Sequence, residues 1–159
     1  MNTLIAVEEG AVASANDLFK WDGHIYSIPD WNHEQTLSSA FRVSCVWCYQ
    51  ELARRVGDDK YFFHLKQSDY GELKSEFNTT TFWLDGSLQI SALEQINFLM
   101  KVVRRQLPFS EMAYETLKQI MLVKKPSVYS LWAKPGWATR VKPQVGWYVG
   151  YQRYSNDVV

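Results

Sequence analysis

The chain has 159 residues, with 17 Lys plus Arg balanced by 17 Asp plus Glu, and 47% of its residues are hydrophobic. That is one domain's length with enough apolar side chain for a core. Zero net charge excludes a general nucleic-acid or anionic-membrane binder, since both need a basic surface, and no run approaches the roughly 18 apolar residues of a membrane span.

The first ten residues contain Glu8 and Glu9 and no Lys or Arg. That is the wrong charge for a signal peptide, so the chain as written is expected to stay in the cytoplasm. Residues 3–9 read as a helix stopped by Gly10. Asp22-Gly23, between Phe19-Lys20-Trp21 and His24-Ile25-Tyr26, reads as a hairpin turn. Residues 36–43 and 45–56 read as two helical pieces. In the second, Val46, Tyr49, Ala53 and Val56 recur at helical spacing, and Gly57 ends it. Asp58 is placed to cap a helix to about Gln67, with Phe62, Phe63 and Leu65 apolar. Residues 69–90 form a long loop, which marks it as functional. Ser91-Ala92-Leu93-Glu94 is a capping box that opens a helix to about Leu107, ahead of Pro108. Leu93, Ile96, Leu99, Met100 and Val103 are expected inward. Ser110 caps a last helix to about Val123. Val128–Ala133 and Gly146–Arg153 then read as antiparallel strands.

Cys45 and Cys48 have a Cys-x-x-Cys spacing. A zinc site needs about four ligands, and no second pair or His cluster is near. A thioredoxin-like site would sit in a βαβ unit, and none is visible. The expected state is two small apolar thiols on one buried helix face. His24, His33 and His64 share no ligand spacing and read as ordinary polar residues. Lys101, Arg104 and Arg105 read as a solvated face complementing a helix C-terminus.

Several stretches, in order, resemble the class D serine β-lactamases, the oxacillinase family. They are Asn2-Thr3-Leu4-Ile5-Ala6-Val7, Phe19-Lys20-Trp21-Asp22-Gly23, Trp31-Asn32, Ser44-Cys45-Val46 with the helix after it, Tyr70-Gly71-Glu72, Phe82-Trp83-Leu84-Asp85-Gly86, Lys134-Pro135-Gly136-Trp137, and Gly146-Trp147-Tyr148-Val149-Gly150. The resemblance implies an α+β fold: mainly the helical part of the serine β-lactamase/penicillin-binding transpeptidase-like fold, with a C-terminal antiparallel strand remnant. Residues 1–127 would be mainly helical and 128–159 would be strands of a single incomplete domain. Asp157-Val158-Val159 would begin a further strand. Trp132, Trp147, Tyr148 and Tyr151 would then lack neighbouring strands, an edge prone to association.

The family acylates a serine and hydrolyses the acyl-enzyme, using a carbamylated lysine as base. The resemblance therefore implies β-lactam small molecules as partners, carbon dioxide as the only added group, no metal, a possible homodimer, and a periplasmic or extracellular site of action. Serine and lysine would come from a Ser-x-x-Lys that would lie just ahead of Met1; no Ser-x-x-Lys occurs in these 159 residues. By the same resemblance, Ser44 would relay a proton to the leaving nitrogen, Val46 would shield the carbamate, and Trp83 would donate its indole N–H to it. Tyr70 and Gly71 would form a turn lining the site. Lys134 would sit opposite Ser44, Gly136 would let substrate approach the strand, and the Trp137 N–H would be an oxyanion donor.

The same residues have simpler uses. Serine is a helix N-cap at such a break, Val46 and Trp83 suit a core, and Lys134 suits a solvated strand. Two departures stand out. Glu72 replaces an expected asparagine, and Pro135 replaces a Thr or Ser, removing a hydroxyl and an N–H. The chain as written is expected to be inactive alone. A penicillin-binding sensor-type domain and a non-catalytic remnant are the alternatives.

Overall fold

The centre of the core is one of the two shortest α-helices among the described residues. Asn2–Glu8 (α1) has only seven residues, too few to stand alone in water. It is helical because Leu4, Ile5 and Ala6 are completely buried and Val7 nearly so. It packs against Glu111–Met121 (α6) and Val46–Val56 (α3). The computed structural model of the protein describes residues 1–124, 128–138 and 141–154, so the strand expected from Asp157 lies outside the described residues.

The remaining helices are Leu37–Arg42 (α2), Asp58–Gln67 (α4) and Ala92–Val103 (α5). Short pairs join Leu18–Phe19 (β1) to Gln35–Thr36 (β2), and Glu72–Leu73 (β3) to Leu88–Gln89 (β4). One larger antiparallel sheet has the order β5-β6-β7, from Leu122–Lys124, Tyr129–Ala138 and Val145–Tyr154. The α+β expectation holds. So do the capping box of Ser91 with Glu94 and the cap on α6, where Ser110 accepts from the Ala113 N–H. Among the described residues, no helix is long and apolar enough to cross a membrane.

Five expectations change. No hairpin closes across Gly23, because β1 takes β2 as its partner. Asp58 is the first residue of α4 rather than its cap, and its carboxylate accepts from the Thr79 hydroxyl. The loop 69–90 is pinched into a hairpin by β3 and β4. Leu122 and Val123 leave the last helix to form β5. Helix α5 is rotated: Gln95, Phe98 and Val102 are buried, while Leu93, Ile96, Met100 and Val103 are exposed. Apolar residues cover most of its circumference, so periodicity alone does not choose the inner face. Tyr70 chooses it, meeting Phe98 edge-on at 4.4 Å and donating to Gln95 Oε1 at 3.1 Å. Two expected edge aromatics are not loose either, since Trp132 and Tyr151 stack at 5.0 Å against the core. Tyr148 stays exposed.

His64 is not an ordinary surface residue. It is buried on α4, stacks on Phe109, and its Nε2 meets Glu9 Oε1 at 2.6 Å; Lys60 pairs with the other oxygen of Glu9. Glu8 accepts from the Ser110 N–H at 2.7 Å. Two adjacent carboxylates at the end of α1 therefore tie it to α4 and α6. Lys60 first, and His64 second, hold the Glu9 carboxyl below its ordinary value.

A carboxyl with a depressed folded pKa stabilises fully above its unfolded value and loses that contribution as pH falls through the folded one. Glu9→Gln should cost about 1.5–3 kcal/mol at pH 7, the range for hydrogen bonds to charged groups. The gap between urea titrations of both proteins should shrink as pH falls below the ordinary carboxyl value of 4.5; a gap that stays constant throughout acidification contradicts this role. Gly71 supplies a second check. Its φ is +68°, and a Cβ there would run into the Gln89 carbonyl and stand 3.0 Å from Ile90 Cβ. Gly71→Ala should cost about 1–3 kcal/mol, read as a lower urea midpoint with an unchanged slope.

Candidate active site

The site is built on the corner between α2 and α3. Helix α2 opens with a reciprocal cap: the Ser39 N–H donates to Thr36 Oγ1 at 3.0 Å and the Thr36 N–H to Ser39 Oγ at 2.9 Å. It closes through Val43 into Ser44, whose φ is +53°. The Cys45 N–H returns to the Ala40 carbonyl at 2.9 Å and the Ser44 N–H to that of Phe41 at 3.3 Å. A left-handed residue after a helix is normally glycine, because a side chain there costs about 1–2 kcal/mol. The expected N-cap role for Ser44 is therefore overturned. Cys45 is the N-cap of α3, and Ser44 is the exit residue of α2. Its hydroxyl is not spent on capping.

Strand β6 delivers Lys134 to that hydroxyl. Lys134 pairs in register with Val149. Its Nζ donates to Ser44 Oγ, ninety residues away in sequence, and to the Pro135 carbonyl at 2.6 Å. It also lies 5.5 Å from the centre of the Phe41 ring. A cation over a ring is attracted to it. Loss of water outweighs that attraction here, and burial pulls the amine down to about 8. The solvated-strand reading of Lys134 is thus replaced by a half-buried amine aimed at a serine.

Pro135 explains how the neighbouring backbone is used. The β6–β7 pairing runs unbroken through Pro135 and Tyr148. Proline is tolerated in a ladder only where its nitrogen faces away from the paired strand. Strand β5 pairs only with Leu131 and Trp132, so from Ala133 onward the other edge of β6 is open among the described residues. Residues two apart present their N–H groups to the same edge, so Trp137 turns its N–H to that open side. A Cβ at Gly136 would make only an ordinary contact, 3.7 Å from Trp147 Cβ. The fold does not demand glycine there, and the exposed backbone leaves room for a ligand.

The other expected residues are placed as follows. Val46 is the half-buried first residue of α3; that helix buries Cys48, Leu52, Ala53 and Val56. Trp83 is half-buried, with its ring edge-on to Phe82 at 5.0 Å. Tyr70 is tied to α5, Gly71 packs against β4, and Glu72 is exposed opposite Gln89. Among the described residues, hydrogen bonds join Ser44 to Lys134 but join neither of them to Tyr70, Gly71 or Trp83. A cleft of about 400 Å³ at the α3–α4 junction, lined by Arg54, Gly57, Asp58, Asn78 and Thr79, contains none of the expected residues.

Two features were missed in the sequence. Cys45 and Cys48 form a disulfide rather than two free thiols. Both are fully buried, as expected. The pair closes because Cys45 is an extended N-cap, not a member of the helix face, with its Cα 5.5 Å from that of Cys48. Second, the Trp31 indole donates to the Val43 carbonyl and the Trp47 indole to the Trp31 carbonyl, each at 3.0 Å. Trp31 thereby holds the loop before α2 against the residue preceding Ser44. Phe41, whose ring lies against the Lys134 ammonium, was missed as well, though it stands in the last turn of α2 just before Ser44.

Chemically, the Lys134 ammonium donates to the serine oxygen, which leaves the serine proton free to pass onward. An amine near pH 8 can give or take a proton close to neutrality. Among the described residues, no group of three or more His, Cys, Asp and Glu side chains is placed to hold a metal ion.

The penicillin binding protein transpeptidase domain family matches the chain over residues 1–159. The chain is 40% identical over 157 residues to the β-lactamase OXA-48 of Klebsiella pneumoniae, covering 99% of this chain and 59% of that protein. It is 34% identical over 158 residues to the regulatory protein BlaR1 of Bacillus licheniformis, covering 26% of that protein. Among solved structures, it superposes on the class D β-lactamase YbXI from Nostoc with a TM-score of 0.93 and 38% identity, covering 98% of this chain and 66% of that one. The chain spans about six-tenths of the length of the β-lactamases it matches. It belongs to the penicillin binding protein transpeptidase domain family, in its class D β-lactamase branch.

Proposed function

We propose that this chain carries the substrate-side half of a β-lactam acyl-transfer site. The observation that supports this most directly is the Lys134 Nζ to Ser44 Oγ hydrogen bond. In this reading, Lys134 attracts an anionic β-lactam and feeds a proton through Ser44 to the nitrogen that leaves when the ring opens. The Trp137 N–H stabilises the developing oxyanion from the open edge of β6. Val46 and Trp83 border the family's catalytic lysine, and Tyr70-Gly71 closes the far side. That lysine and its serine belong to a Ser-x-x-Lys that these residues do not include. No carbamate step is therefore assigned, and the chain alone does not hydrolyse β-lactams. Pro135 removes the hydroxyl that would bind the substrate carboxylate. A buried disulfide beside the site favours an oxidising compartment, periplasmic or extracellular. The similarity to BlaR1 favours a second reading, a penicillin-binding sensor-type domain that acylates without fast turnover.

Incubation with a labelled penicillin should leave the chain unmodified by mass spectrometry; a stoichiometric adduct on Ser44 would make it a nucleophile and overturn the proton-relay role. In a chimaera that supplies the flanking segments of OXA-48, acylation should appear. Ser44→Ala should then slow it by about 10²–10⁴-fold, the usual worth of a positioned proton donor. In the same chimaera, Pro135→Thr should speed acylation about 10-fold or more, matching a charge-assisted hydrogen bond of about 1.5–3 kcal/mol. An unchanged rate there counts against β6 as the strand that lines the substrate.

A further inference from the structure

Ser44 occupies a costly backbone conformation, closed by its own N–H at the Phe41 carbonyl and by the Cys45 N–H at the Ala40 carbonyl, so it lasts only while Cys45 stays in place. Its hydroxyl only accepts from Lys134. The residue after it has a second deficit. Cys45 is the N-cap of α3 and makes no side-chain cap hydrogen bond. An N-cap side chain normally accepts from the N–H two or three residues on, and losing that bond frays the first turn. Cysteine sulfur is a weak acceptor. The disulfide partner, Cys48, is the third residue of α3. The covalent bond therefore joins the same two positions that a capping hydrogen bond would join.

We propose that the Cys45–Cys48 disulfide is a positioning clasp, a covalent N-cap that fixes the α2–α3 corner and thereby holds Ser44 left-handed and facing Lys134. Only three residues separate the two helices. Val43 ends α2, Ser44 and Cys45 make the turn, and Val46 begins α3. Any fraying of the first turn of α3 releases Cys45, and with it the ψ of Ser44. The clasp works from inside the fold, since both cysteines are fully buried. Trp47, between them in sequence, closes the corner from the other side through Trp31 to the Val43 carbonyl. Burial also separates this pair from a redox-active one, because a reductant has no access to either sulfur in the folded protein. The bond forms during folding, when the two thiols lose two electrons and two protons to a small disulfide oxidant, which leaves as two thiols.

The role as a positioning group rests on the proton-relay reading of Ser44, but its test needs no β-lactam. The protein is folded with oxidised glutathione, and the pH profile of Lys134 acetylation is read by peptide mass spectrometry. The midpoint should lie near 8. In Cys45→Ala/Cys48→Ala it should rise by about one unit or more, toward an ordinary lysine, as Ser44 relaxes and water reaches the amine. In Cys45→Ser/Cys48→Ala a serine N-cap replaces the clasp, and the midpoint should return to near 8. Leu117→Ala, a core change on α6, should lower the melting temperature and leave the midpoint unmoved. A double-alanine variant that melts lower yet keeps the midpoint near 8 overturns the proposal and leaves a merely structural disulfide. Two freely alkylated thiols in the folded, oxidised protein overturn it as well. If the clasp passes while the chimaera fails to acylate, the reaction reading falls and the clasp stands.

Discussion

A lysine ammonium taken out of water to meet a serine held left-handed is the constraint around which this structure is organised. Neither half is favourable alone. Burial works against the charge of Lys134, and φ of +53° works against Ser44. Each is tolerated because the surrounding structure over-determines it. Strand β6 is in register with β7 along its whole length, which fixes where Lys134 emerges. Helices α2 and α3 are joined by only Val43, Ser44 and Cys45, which fixes Ser44. Strain of this kind, maintained by packing, is what places a reactive pair before any ligand arrives.

The rest of the fold keeps those two elements in place. Helix α1 lies under the corner, packed on α3 and α6. Its Thr3 hydroxyl and the Tyr49 hydroxyl of α3 are 3.0 Å apart, a partly buried polar contact between the core helix and the helix that follows Ser44. At the other end of α1, Glu8 and Glu9 reach the start of α6 and the middle of α4. A seven-residue helix is thereby fastened at both ends by polar contacts and along its length by burial. Arg105, exposed as expected, also pairs with Glu111 and Glu115 and lies over Tyr114 beside the turn between α5 and α6.

Much of this was legible in the sequence because local chemistry and tertiary structure agree there. The Ser91–Glu94 box and the Ser110 cap formed as read, and Gly57 ends α3, but Asp58 lies inside α4 and α5 ends at Val103, short of the expected Leu107. The pairing of the last strands followed from a change of pattern near Val128, and the α+β class from the family resemblance. Ser44 opposite Lys134 was available only through resemblance, since nothing local links residues ninety positions apart. What was not legible depends on geometry that sequence does not carry. The inner face of α5 was misjudged because its apolar residues ring the helix, and Tyr70 made the choice. His64 looked solitary because its partner, Glu9, lies on another helix. The cysteines were read as thiols on one face because the extended conformation of Cys45 appears only once Ser44 turns the chain.

The central claim is that the Lys134 amine is desolvated against Ser44 in the folded protein. Carbon-13 NMR titration of the lysine side-chain Cε signals, with Lys134 assigned by comparison with Lys134→Arg, measures this without substrate or chemical modification. The account predicts one lysine with a midpoint near 8, absent from the spectrum of the variant. A Lys134 signal that titrates near 10.5, with the other lysines, contradicts it.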